Sequence, residues 1–282
     1  MSVKGNSPTS EQVVMIRPLK GWAALNLGSL WQYRELIYFM TWRDVKVRYK
    51  QALLGVGWAL LQPVMSMIIF NLIFNNLAKM PSDGIPYPLF SLAALIPWQF
   101  FRNALQRSSI SLVGNANLLT KVYFPRLIIP IAAALASLVD TFFAFLVLLG
   151  MMAYFGYWPS WNILWLPLLL LLALLTAIAV GVWASALNVQ YRDVQHMVPF
   201  LIDAWQYASP VVYSATLIPS GTWRLVYGLN PMAGVIQGFR WALLGGSPPD
   251  ALIAIAIVIV LTLLISGLFY FRRMERTFAD TV

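Results

Sequence analysis

Residues 42–63, WRDVKVRYKQALLGVGWALLQP, run from a basic stretch straight into a long apolar one. Arg43, Lys46, Arg48 and Lys50 face one acid, Asp44, and no charged residue follows from Ala52 to Ala78. A chain with this pattern is leaving water for lipid. Basic residues beside a membrane span stay on the cytoplasmic side, so the junction also sets the direction in which the first span enters.

Composition agrees with that reading, because 60% hydrophobic and 10% charged residues would leave a soluble domain of 282 residues short of polar surface. The net charge of +9 falls almost wholly in segments placed in the cytoplasm, a positive-inside bias and not a nucleic-acid groove. No cysteine is present, which excludes disulfides, thiolate metal sites and a cysteine nucleophile. Residues 1–29 lack the apolar core of a signal peptide and carry Pro8, Pro18, Gly5, Gly21 and Gly28, so they read as a loosely ordered cytoplasmic arm.

Working outward, residues 30–50 read as an amphipathic interface helix. Leu30, Tyr33, Ile37 and Met40 are expected in the lipid boundary, with Arg34, Glu35, Arg43, Asp44 and Lys46 on the polar face. Six apolar stretches follow, near 53–78, 88–113, 126–154, 163–187, 196–214 and 250–271, each close to the ~20 residues that cross a ~30 Å hydrocarbon core. The expected fold is an all-α polytopic membrane protein with six transmembrane helices in residues 51–272 and a cytoplasmic tail at 273–282. Both termini then share the cytoplasmic side, and Lys79, Arg224 and Arg240 are left outside. The stretch 215–249 is too interrupted to span. It reads as short re-entrant outer helices before the last span, one of them started by Asn230 and Pro231 and ended by Gly245 and Gly246.

Catalytic chemistry is hard to place. The chain has no GxxxxGK[ST] loop and no Gly-Lys pair, so no phosphate cradle of that type and no ATP hydrolysis of its own is expected. His196 is the single histidine, which excludes a multi-histidine metal site, and no acid pair is spaced for general acid–base work. Arg102, Asp140 and Asp203 fall inside expected spans, where ionisable groups need partners. Counting ~1.5 Å per residue puts Arg102 and Asp203 both ~10 Å from the inner boundary and Asp140 ~21 Å from it. The expected pair is therefore Arg102 with Asp203, holding spans two and five together, and Asp140 is poorly matched to Arg102. Trp58, Phe70, Phe74, Trp98, Phe101, Trp205 and Tyr207 lie well inside spans and are candidate conduit-lining rings, flat faces on which sugars can stack and slide.

Four ordered blocks carry a family resemblance: RYKQALLGVGWALLQP (48–63), PWQFFRNALQRSSISLVGNANLLTKVYFPRLIIP (97–130), LNVQYRDVQHMVPFLIDAWQYASPVVY (187–213) and LNPMAGVIQGFRWALLG (229–245). Together they resemble the membrane permease subunit of bacterial type-2 ABC exporters, in the branch that exports O-antigen, capsular or teichoic acid polysaccharides. The resemblance covers about residues 30–275. It implies a non-catalytic permease of the bacterial inner membrane, working as a homodimer with two copies of a nucleotide-binding ATPase subunit. ATP and Mg²⁺ then belong to that partner, and this chain binds no cofactor. The implied substrate is a lipid-linked polysaccharide, with membrane lipids around the subunit and no nucleic acid. By the same resemblance, Asn115, Leu118, Lys121 and Tyr123 lie in one ATPase-coupling segment, and Tyr191, Arg192 and Asp193 in the other. The alternatives are a type-2 ABC exporter of drugs or small lipids, a membrane-embedded glycan- or lipid-modifying enzyme, and a secondary transporter. The enzyme would need acidic or histidine clusters at a membrane face, and the secondary transporter repeated halves.

Overall fold

Apolar segments of this length form helices because a backbone polar group in lipid has no partner outside its own segment. The computed structural model describes residues 27–50, 57–122, 124–219, 221–249, 251, 253–275 and 278, and among them it contains helices and no strand. The arm expected at 1–29 lies outside the described residues except at its end, as do Tyr123 and most of the tail.

The chain opens with α1 (Leu27–Gln32) and α2 (Arg34–Lys50), then α3 (Gly57–Phe70), which widens into a π-helical stretch, Asn71–Leu77. The centre is α4 (Tyr87–Gly114), whose 28 residues make a rod of ~42 Å. A short α5 (Ala116–Lys121), α6 (Ile128–Leu135) and α7 (Ser137–Phe155) follow, and then α8 (Leu166–Gln190) runs alongside α4. The rest is α9 (Val194–Tyr207), α10 (Thr222–Gly228), α11 (Pro231–Leu244) and α12 (Ile253–Met274). The start of α11 is where the sequence puts it: Asn230 Oδ1 accepts from the Met232 amide at 3.0 Å, and Pro231 stands at the first turn. Its end is at Gly245, whose φ of +71° is the left-handed cap that glycine adopts at no steric cost.

The two central helices touch because small residues let them. A Cβ on Gly181 would lie 2.5 Å from Ser108 Oγ, so α4 and α8 approach closer than any larger side chain allows. Asn188 Nδ2 donates to the Ser109 carbonyl at 3.2 Å near their C-terminal ends, so the two helices run parallel and finish together. A second apolar cluster closes that same end, drawing Met40 from α2, Leu112 from α4, Leu119 from α5, Ile128 from α6, Val189 from α8 and Phe271 from α12. The described ends of the chain and both connections after α4 and α8 therefore sit at one end of the bundle.

Four helical stretches among the described residues are long and apolar enough to cross a membrane: Gly57–Leu77, Ile128–Phe155, Trp161–Gln190 and Ile253–Met274. They fall on expected spans one, three, four and six. The second expected span is α4, long enough but carrying Arg102, Arg107 and several amides and hydroxyls. Protein covers it on most sides, so its sequence is released from the apolar requirement that lipid imposes. The fifth, 196–214, is helical only as far as Tyr207; α9 has 14 residues, ~21 Å, and the chain then turns.

One expectation about α2 is corrected. Leu30, Tyr33 and Ile37 are partly buried and Met40 is buried, all against the second apolar cluster, and not turned to the lipid boundary. The face left exposed carries Trp31, Tyr38, Phe39 and Trp42 among the basic residues. A 3.6-residue stripe identifies a buried face; it does not say whether protein or lipid buries it.

Candidate functional site

The densest group of charges lies where α2, α4 and α7 meet. Asp140, in the first turn of α7, accepts from Arg48 and from the Tyr49 hydroxyl, both at the end of α2. Arg107 of α4 brings its Nη2 to 3.7 Å from the same Asp140 oxygen that Arg48 holds. Burial, followed by the hydrogen bond to Asp140, pushes the Tyr49 phenol up to about 12, so it remains a proton donor to that carboxylate. Residues 128–135 form the separate α6, held against α2 where Thr41 Oγ1 donates to the Ala132 carbonyl at 3.4 Å. Asp140 follows in the first turn of α7 and lies beside the basic end of α2.

Sequence reasoning missed this cluster. The available signal was Arg107, a second cation in the same expected span as Arg102. Two cavities meet at the cluster. One of about 220 Å³ lies between α3, α4 and α7 and includes Gln62, Gln99 and Asn103; the other, about 530 Å³, lies between α2, α4 and α6 and includes Arg43, Asp44 and Asn115. Arg48 and Arg107 line both.

The structure places Arg102 Nη1 2.7 Å from Asp203 Oδ1, joining α4 to α9, and neither side chain is buried in the subunit. The aromatic candidates are divided. Trp98 and Phe101 are 1% and 0% exposed and pack against each other in the core as tilted rings, their centroids 5.4 Å apart, so in this conformation neither lines an open surface. Phe101 meets Trp205 edge-on at 5.0 Å, and Trp205 Nε1 donates to Asn230 Oδ1 at 2.9 Å. Trp205 borders a cavity of about 700 Å³ with Trp223 and Tyr227, and Trp58 borders the smaller cavity beside Arg107. Tyr207 is exposed, while Phe70 and Phe74 pair at 5.5 Å on the peripheral helix.

Of the coupling candidates, Asn115 is held on both sides: its Oδ1 accepts from Arg43 at 2.9 Å and its Nδ2 donates to the Ser111 carbonyl at 2.8 Å. Leu118 packs on the second apolar cluster, and Lys121 is exposed. Tyr191, Arg192 and Asp193 are all exposed between α8 and α9. Among the described residues no group of three or more His, Cys, Asp or Glu could hold a metal ion.

A family model described as ABC-2 type transporter matches residues 35–244. The chain is 31% identical over 258 residues to an O-antigen export system permease protein, RfbA, of Myxococcus xanthus, covering 90% of this chain and 97% of that one. A protein of the same name from Klebsiella pneumoniae is 29% identical over 257 residues, covering 90% and 96%. The polysialic acid transport protein KpsM of Escherichia coli is 26% identical over 240 residues, covering 83% and 91%.

Proposed function

Because the chain belongs to the ABC-2 type transporter family, we propose that it is the membrane permease of an exporter of lipid-linked polysaccharide. The cargo, O-antigen, capsule or a similar glycan, moves outward from the cytoplasmic side of a bacterial inner membrane. The observation that carries this reading is the near full-length match to the Myxococcus xanthus permease. The subunit does no chemistry. ATP and Mg²⁺ are bound and used by a separate ATPase, of which two copies serve a pair of permeases.

In this reading the chain crosses six times, with α4 and the segment that begins with α9 counted as passes, and both termini are cytoplasmic. The end of the bundle closed by the second apolar cluster is the cytoplasmic one. There α2 lies in the interface with its exposed aromatic and basic face toward headgroups, and residues 115–121 and 191–193 meet the ATPase. Support for that side comes from the basic residues of α2 and of the last turn of α12, Arg272 and Arg273, at the same end. The exposed apolar faces of α3 and α9 are where the second permease joins, and the glycan passes along Trp58, Trp205 and Tyr207 as the seam opens.

Deleting the chain tests the proposal. Lipid-linked glycan should accumulate on the cytoplasmic face of the inner membrane and clear when the chain is restored with its ATPase. An unchanged glycan distribution, or ATP turnover by the purified chain alone, ends this reading.

A further inference from the structure

We propose that Arg48 and Arg107 form a binding site for a phosphate or diphosphate ester, placed to take the anionic head of the lipid that carries the glycan. The inference rests on the exporter reading and adds to it the chemical group that the permease holds. Three guanidinium groups, Arg43, Arg48 and Arg107, face the two cavities against two carboxylates, Asp44 and Asp140. Asp44 is spent on Arg43, which donates to it through Nε at 3.0 Å and Nη2 at 2.8 Å. Asp140 is left to balance both Arg48 and Arg107, so the cluster keeps one positive charge in excess.

Its hydrogen bonding is also incomplete. Arg48 Nε and Nη2 are buried and meet no hydrogen-bond partner among the described residues. Buried guanidinium donors without partners are costly, and a cation at the edge of the hydrocarbon needs a counter-charge. The planar fork of a guanidinium suits phosphate oxygens two at a time, and water exclusion strengthens the attraction. The smaller cavity, about 220 Å³, falls below the ~300 Å³ where pockets for whole small molecules begin, so it suits a head group and not a sugar chain.

Position points to a lipid source. The smaller cavity is walled on one side by Trp58, Ala59 and Gln62 of α3, and only 11% of that span is buried by the subunit. A lipid tail can stay in the bilayer beside α3 while its head reaches the arginines. The second cavity, which shares those arginines, lies at the end of the bundle where α2 sits.

The test uses the complete exporter, permease with its ATPase, in lipid nanodiscs, and measures binding of farnesyl diphosphate, inorganic pyrophosphate and farnesol. Arg107→Gln should weaken farnesyl diphosphate at least tenfold. Asp140→Asn removes the competing carboxylate and should tighten it severalfold, a gain that a purely structural ion pair does not give. Should Arg107→Gln fail to assemble, Arg48→Lys keeps the charge but loses the fork and should bind severalfold more weakly. Farnesyl diphosphate binding more tightly than pyrophosphate assigns the site to a lipid head, and equal binding assigns it to a soluble diphosphate. Unchanged affinity in these variants, or farnesol binding as well as farnesyl diphosphate, overturns the site. Glycan export is followed in cells carrying the same variants: flat affinities with export by the wild-type complex defeat the site alone, whereas a wild-type complex that exports no glycan defeats the exporter reading itself.

Discussion

Arg102 meets Asp203 at 2.7 Å across the contact between α4 and α9. The side chains are 33% and 52% exposed in the subunit, so in water such a pair would contribute ~1 kcal/mol or less. At the membrane depth that the sequence leads one to expect for them the reference differs, because an unpaired charge there has no bulk water to return to. Asp203→Asn and Arg102→Gln should each lower the amount of folded permease recovered from membranes, and the swap Arg102→Asp with Asp203→Arg should restore part of it. Full yield and export from both single variants would show that the pair holds nothing.

Arg240 is the buried counterpart at the far end of the bundle. It donates through Nε to the Phe90 carbonyl at 3.2 Å, through Nη1 to Tyr213 at 3.1 Å and through Nη2 to Val211 at 2.9 Å, with its guanidinium carbon 3.5 Å from the Phe90 ring centroid. One side chain thus ties α11 to α4 and to the turn after α9. Arg240→Met should destabilise the detergent-solubilised protein by ~3 kcal/mol, since it removes all three donors from buried carbonyls. Arg240→Lys, with a point charge in place of the fork, should recover only part. Thermal unfolding followed by tryptophan fluorescence measures both.

The close approach of α4 and α8 gives a third test. Gly181→Ala places a Cβ 2.5 Å from Ser108 Oγ and 2.7 Å from Ser108 Cβ, so one helix must move. A cost of ~1–3 kcal/mol is expected from overpacking. Ser108→Gly in the same chain removes both atoms and should return most of it, whereas Ser108→Ala keeps the Cβ and should not. Simple additivity of the two changes would mean that the helices do not meet there.

How much of this was legible in the sequence depended on which physical rule each residue obeys. Apolar runs and the Asn230–Pro231 start are local signals, so the helices and the beginning of α11 could be read directly. Hydropathy reads 126–154 as one run and does not register the turn at Ala136 between α6 and α7. The inward face of α2 was visible as a stripe, but whether protein or lipid covers it depends on helices distant in the chain. Arg102 and Asp203 could be matched by counting residues from the membrane edge, a one-dimensional argument. Arg48 belongs to α2, outside any span, and its meeting with Asp140 and Arg107 needs the bundle to be assembled.

The parallel course of α4 and α8 leads to the last prediction, about assembly. Because Asn188 holds Ser109 at 3.2 Å, the connections that follow the two helices leave the bundle side by side, with Lys121 exposed on one and Tyr191, Arg192 and Asp193 exposed on the other. A partner can therefore grip both at once, and ion pairs at such a seam form only when it docks. Arg192→Ala with Asp193→Ala should cut the ATPase recovered with the tagged permease at least tenfold. The unfolding temperature of the permease alone should not change, since neither residue is buried. Lys79→Ala, at the opposite end of α3 from α2, should leave recovery untouched. Equal recovery from the double variant and from Lys79→Ala would place the ATPase contact somewhere other than these two connections.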